Sequence, residues 1–176
     1  MNERIKNLVL FAMFLAIGFV LPMLTGQIPV IGKILLPMHI PVFLCGLICG
    51  WKYGGALGFI LPIARSLIFS VPVMYPTAIA VAFEMATYGI TVALLYACFK
   101  KQRLVALYFS LLISMVLGRI VRCVAEIVLL NLNGNGFAIK TFFSGVIFNA
   151  IPGIAIQLIV IPAVMVATQY TKNRKN

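Results

Sequence analysis

The feature that most limits what this chain can fold into is a succession of long apolar runs parted by short basic or loop-forming clusters. A helix that crosses the hydrocarbon core of a bilayer needs about 20 apolar residues and satisfies its own backbone hydrogen bonds where no water can. Six runs approach that description: Leu8 to Leu24, Leu36 to Gly50, Gly54 to Ser70, Thr77 to Phe99, Leu104 to Leu130 and Thr141 to Tyr170. The expected architecture is an all-α integral membrane protein, a bundle of six transmembrane helices in a single membrane domain over residues 1–176. The second and third runs are short and separated only by Trp51, Lys52 and Tyr53, so a re-entrant hairpin over both is the alternative there. With 63% of its residues hydrophobic and 10% charged, the chain has too little polar surface to cover a water-soluble core.

A formal net charge of +11 would point to nucleic acid in a soluble protein. Here the basic residues fall between apolar runs, where they set topology, and no nucleic-acid partner is expected. Arg4, Lys6, Lys52, Lys100, Lys101, Arg103, Lys172, Arg174 and Lys175 occupy one set of alternating loops, and Lys33 and Lys140 the other. Positive loops stay on the cytoplasmic side, so both termini are expected inside. The run after Arg4 and Lys6 is longer than the core of a cleaved leader and lacks a convincing processing site, so the first helix is expected to persist. The longest polar stretch, Asn131 to Gly136, is far too short for an ATPase domain. The outer loops, Pro22 to Gly32, Val71 to Pro76 and Asn131 to Gly136, are rich in Pro, Gly and Asn, and serve either as lids over an external site or as plain connectors.

Charges inside lipid cost roughly 2.5–3.5 kcal/mol each at a helix centre on insertion scales, so each needs a partner or a task. Of only three acids, Glu84 and Glu126 lie within apolar runs, as do Arg65, Arg119 and Arg122. At about 1.5 Å per helical residue, counted from the outer ends, Arg65 comes to about 8 Å deep, Glu84 about 10 Å, Glu126 about 8 Å, Arg122 about 13 Å and Asn149 about 12 Å. His39, flanked by Pro37 and Pro41, sits near the outer end of the second run. Side chains from five helices thus fall in one outer polar layer. Arg119, Arg122 and Glu126 share one helix face by their spacing, and Arg119 lies deepest as a possible floor. Tyr75, beside Pro72 and Pro76, is placed to cover the layer, although interfacial tyrosine is an equally ordinary role. Three arginines against two glutamates leave capacity for an anionic group such as a carboxylate. The competing reading pairs Arg122 with Glu126 within the helix and Arg65 with Glu84 between helices, purely to hold the bundle together.

Cys45, Cys49, Cys98 and Cys123 lie in apolar surroundings without the spacing of a zinc site, so no metal or cofactor is expected. Small residues four apart, Ala12 and Ala16, Gly46 and Gly50, and Gly54 and Gly58, permit close approach of another helix, either within this bundle or in a partner.

This pattern resembles the substrate-binding S component of energy-coupling factor (ECF) vitamin transporters. It carries Ala-x-x-x-Ala at Ala12 and Ala16, and Leu36-Pro37-Met38-His39-Ile40-Pro41-Val42 and Gly50-Trp51-Lys52-Tyr53-Gly54 are similar to the second-helix region of a pantothenate-like or uncharacterised branch. The resemblance implies a non-enzymatic subunit in a prokaryotic plasma membrane that captures a vitamin or precursor from outside. It also implies partners, a membrane scaffold subunit touched by the first-helix alanines and two cytoplasmic ATPases that consume the ATP. Ligand residues vary within the family, so the candidates remain His39, Arg65, Tyr75, Glu84, Arg119, Arg122, Glu126 and Asn149. A stand-alone secondary transporter or channel stays open as another reading. An intramembrane enzyme is disfavoured, because neither a His pair at i, i+4 nor a Ser/His set is present.

Overall fold

A computed structural model describes residues 3–24, 38–99, 104–132 and 151–173. Among the described residues the chain is all-α, with α1 at Glu3–Leu24, α2 at His39–Cys49, α3 at Trp51–Phe69, α4 at Ile79–Cys98, α5 at Leu104–Leu132 and α6 at Ile151–Asn173. The number of helices among the described residues equals the number of apolar runs. Among the described residues three segments are long and apolar enough to cross a membrane, namely Glu3–Met23, Met74–Cys98 and Leu104–Asn131. The apolar helix His39–Cys49 is shorter, as is the apolar stretch Pro152–Thr168 of α6. In α3, Lys52, Arg65 and three glycines dilute the apolar character. The first ten residues of the run expected from Thr141, and Asn149 with them, lie outside the described residues.

The join between α2 and α3 differs from the expected three-residue break. Gly50 alone makes it, at φ 95° and ψ 172°, a backbone conformation that costs an L side chain dearly. Its N–H closes α2 on the Gly46 carbonyl (3.1 Å), and its own carbonyl receives the Gly54 N–H that opens α3 (3.0 Å). Trp51, Lys52 and Tyr53 are consequently the first turn of α3 rather than a loop. Before α4, the residues Met74–Ala78 form an irregular turn in which Tyr75 is extended (φ −118°, ψ 132°), as the following proline demands.

Of the three span-length segments, Met74–Cys98 is half buried by protein (50%) and Glu3–Met23 hardly at all (11%), which makes α4 central and α1 peripheral. Helix α4 packs against α2, α3 and α5, while α1 rests on α2 and α3. Glycines bring the inner helices into backbone contact. A Cβ on Gly46 would stand 2.5 Å from the Gly89 carbonyl oxygen, one on Gly54 2.6 Å from the Gly46 Cα, and one on Gly58 2.3 Å from the Met85 carbonyl oxygen. The small-residue spacing at Gly46, Gly54 and Gly58 is thus used inside the bundle. Phe43, Leu57, Leu61, Met85, Tyr88 and Leu111 fill the core, and large apolar side chains such as Leu67, Ile68, Val105 and Ile159 face outward, as befits a lipid solvent.

Candidate functional site

The antiparallel packing of α4 on α5 sets the register of the polar side chains. Tyr88 lies against Gly118, where any Cβ would collide with its ring, and one turn nearer the start of α4 Glu84 faces Arg122. Before α4, the Tyr75 hydroxyl donates to the Leu129 carbonyl and ties that turn to the end of α5.

Glu84 is the hub. Its side chain is fully buried, and both oxygens are engaged: Oε1 by Arg119 Nη1 (3.2 Å) and the Tyr88 hydroxyl (2.6 Å), and Oε2 by Arg122 Nη1 (3.1 Å). Arg122 reaches back along its helix to Glu126 through Nε (3.1 Å), the i,i+4 contact expected from spacing. Glu84, Arg119, Arg122 and Glu126 therefore form one cluster of two cations and two anions. Burial grades across it: 0% of the Glu84 side chain is exposed, against 17% for Arg119, 13% for Arg122 and 14% for Glu126. The cluster is closed at Glu84 and open at its rim. Among the described residues, Arg119 and Glu126 each have a single ionic partner, so guanidinium N–H groups and one carboxylate oxygen remain to bond something else.

His39 (2% exposed) stands at the head of α2 against the Tyr88 ring (centroids 5.5 Å), and Phe43, one turn on, stacks on the same ring at 5.0 Å. Tyr88 thus links the head of α2 to the charge cluster.

Arg65 is not brought to Glu84. The close approach of Gly18 to Leu61 aligns α3 with α1, so that Arg65, one turn beyond Leu61, donates through Nη1 to the Phe19 carbonyl (3.1 Å). Pro22 lacks the N–H that the Gly18 carbonyl would otherwise receive, so the helical ladder of α1 is one bond short beside this contact. The pairing of Arg65 with Glu84 is therefore replaced by Arg119 and Arg122 on Glu84, because the α4–α5 register faces that carboxylate to α5. The expected pairing of Arg122 with Glu126 does form.

Two residues escaped the sequence reading. Tyr88 follows Glu84 by four residues, a spacing that places both on one helix face. Gln157 is the lone amide in Ile154-Ala155-Ile156-Gln157-Leu158-Ile159; it is 2% exposed and its Nε2 has no hydrogen-bond partner among the described residues. On α1, Ala12 and Ala16 are exposed along the same stripe as Ile5, Leu8, Val9, Met13 and Val20. Among the described residues no group of three or more His, Cys, Asp and Glu side chains could hold a metal ion.

Helices with an apolar exterior around an internal charge cluster define a multi-pass membrane protein. Comparison with family models is specific: residues 6–165 match the ECF transporter, substrate-specific component. The chain belongs to that family, whose members are non-enzymatic transport subunits associated with scaffold and ATPase subunits. Neither the comparison with curated proteins nor that with solved structures finds a match.

Proposed function

We propose that this chain captures a small vitamin or vitamin precursor from outside the cell and delivers it to an ATP-driven uptake complex. The proposed binding layer comprises His39, Arg65, Glu84, Arg119, Arg122 and Glu126, with Tyr75 above it and Asn149 contributing from the segment before α6. The observation that carries this reading is the graded cluster around Glu84. A cluster built only to join α4 and α5 has no need of the part-buried, singly paired groups of Arg119 and Glu126, whereas a polar solute would complete their hydrogen bonds. A carboxylate-bearing solute with hydroxyl or amide hydrogens, pantothenate foremost, suits this mixture of donors and acceptors.

The positive loops favour both termini on the inside, which sets the charge layer in the outer half of the bilayer. The exposed Ala12 and Ala16 supply a small-residue seat for a scaffold helix, and two cytoplasmic ATPases complete the machine.

The test uses the purified chain and a panel of water-soluble vitamins, read by thermal shift. One member stabilises the chain, and Arg122→Ala or Glu84→Ala loses that response. A chain stabilised by none of them contradicts the proposal. Co-purification tests the second surface: Ala12→Trp or Ala16→Trp abolishes recovery of scaffold and ATPases while ligand binding persists.

A further inference from the structure

Arg65 is the buried charge that the cluster leaves over. The sequence holds three acids, Glu3, Glu84 and Glu126. Glu84 and Glu126 are taken by Arg119 and Arg122. Glu3 opens α1, and its distance from Phe19 is 19 − 3 = 16 residues, about 24 Å along a helix at about 1.5 Å per residue. No side-chain carboxylate of this sequence is therefore placed to neutralise Arg65. Yet the residue is only 3% exposed, and its Nε has no hydrogen-bond partner among the described residues. What it does touch is the Phe19 carbonyl, at 3.1 Å, and the Phe69 ring, whose centroid lies 5.5 Å from Cζ. A carbonyl dipole and a ring quadrupole attract a cation without cancelling its charge. Buried cations that lack a counter-charge are costly in protein and in lipid alike.

We infer that Arg65 is the residue that holds an anionic group supplied from outside the chain, a carboxylate or a phosphate. For a solute anion this rests on the reading of the chain as a solute-binding subunit, and it divides the work within that site. Arg119 and Arg122 are already neutralised by Glu84 and Glu126 and recognise uncharged polar groups, whereas Arg65 takes the charge. Phe19 is also one turn from Ala16, so the anion is held next to the proposed partner face of α1. A second source of the same chemistry is the headgroup of an anionic phospholipid.

The experiment has two arms, both with the full chain in nanodiscs and with folding checked by thermal unfolding. In phosphatidylcholine discs the chain is titrated with paired solutes: pantothenate and pantothenol, nicotinate and nicotinamide, biotin and its methyl ester. An acid binds roughly tenfold or more tighter than its neutral partner. Arg65→Gln removes that preference, so that acid and neutral partner bind alike, and Arg65→Lys keeps part of it. In the second arm phosphatidylglycerol is added: if the headgroup is the anion, it stabilises the native chain and not Arg65→Gln. An acid preference that survives Arg65→Gln overturns the inference while leaving the proposed function intact. If no solute binds, acid or neutral, the proposed function fails, and the lipid arm alone decides the inference. Equal stabilisation of the native chain and Arg65→Gln by phosphatidylglycerol then overturns it.

Discussion

Glu84 has no solvent exposure, and two guanidinium groups and a phenol converge on its two oxygens. Removing one partner of such a set is far more damaging than the net worth of the set, since the remaining charges stay buried. Glu84→Gln is therefore expected to destabilise the chain by about 3–5 kcal/mol in a denaturant titration. Tyr88→Phe deletes one hydrogen bond to a charged acceptor and should cost about 1.5–3 kcal/mol in the same assay. The cost of burying charge is what made Glu84, Arg119, Arg122 and Glu126 legible in the sequence, because apolar runs make each such residue conspicuous. Their pairing was legible only within one helix, where four-residue spacing joins Arg122 to Glu126. That Arg65 turns to the Phe19 carbonyl depends on how closely Gly18 meets Leu61, which no local pattern encodes. Tyr88 went unread because tyrosine in a membrane helix is ordinarily an interfacial residue.

Among the elements, α2, α3 and α4 form the most tightly joined unit, since glycines replace side chains at their crossings. Gly89 is a sensitive position, because a Cβ there would lie 2.3 Å from the Gly54 carbonyl carbon. Gly89→Ala has to push backbone against backbone, so a loss of about 1–3 kcal/mol or more is expected from thermal unfolding. Gly50→Ala destabilises for a different reason, the positive φ that joins α2 to α3, although nothing crowds its Cβ position. Hydropathy pointed to six runs because apolar length is a property of composition, and among the described residues three of them are helices long and apolar enough to cross a membrane. It misplaced the α2–α3 boundary because Trp51, Lys52 and Tyr53 look like a polar break, whereas the break is a backbone conformation that Gly50 alone supplies.

On the scale of the whole molecule, a peripheral α1 with an exposed apolar stripe is joined to a glycine-packed centre, and the charge cluster lies between that centre and α5. The asymmetry of basic loops predicts an orientation that labelling checks: in right-side-out sealed vesicles, a cysteine placed at Lys52 is protected from an impermeant thiol reagent, and one at Lys33 reacts. The central claim is that this chain binds its solute alone but moves it only within an ATP-driven complex. Equilibrium binding and uptake in proteoliposomes, with and without the scaffold and ATPase subunits, test it most directly. Saturable binding of one vitamin by the chain alone is expected, with accumulation only when the partners and ATP are present. Accumulation by the chain alone, or no binding until the partners are present, would contradict it.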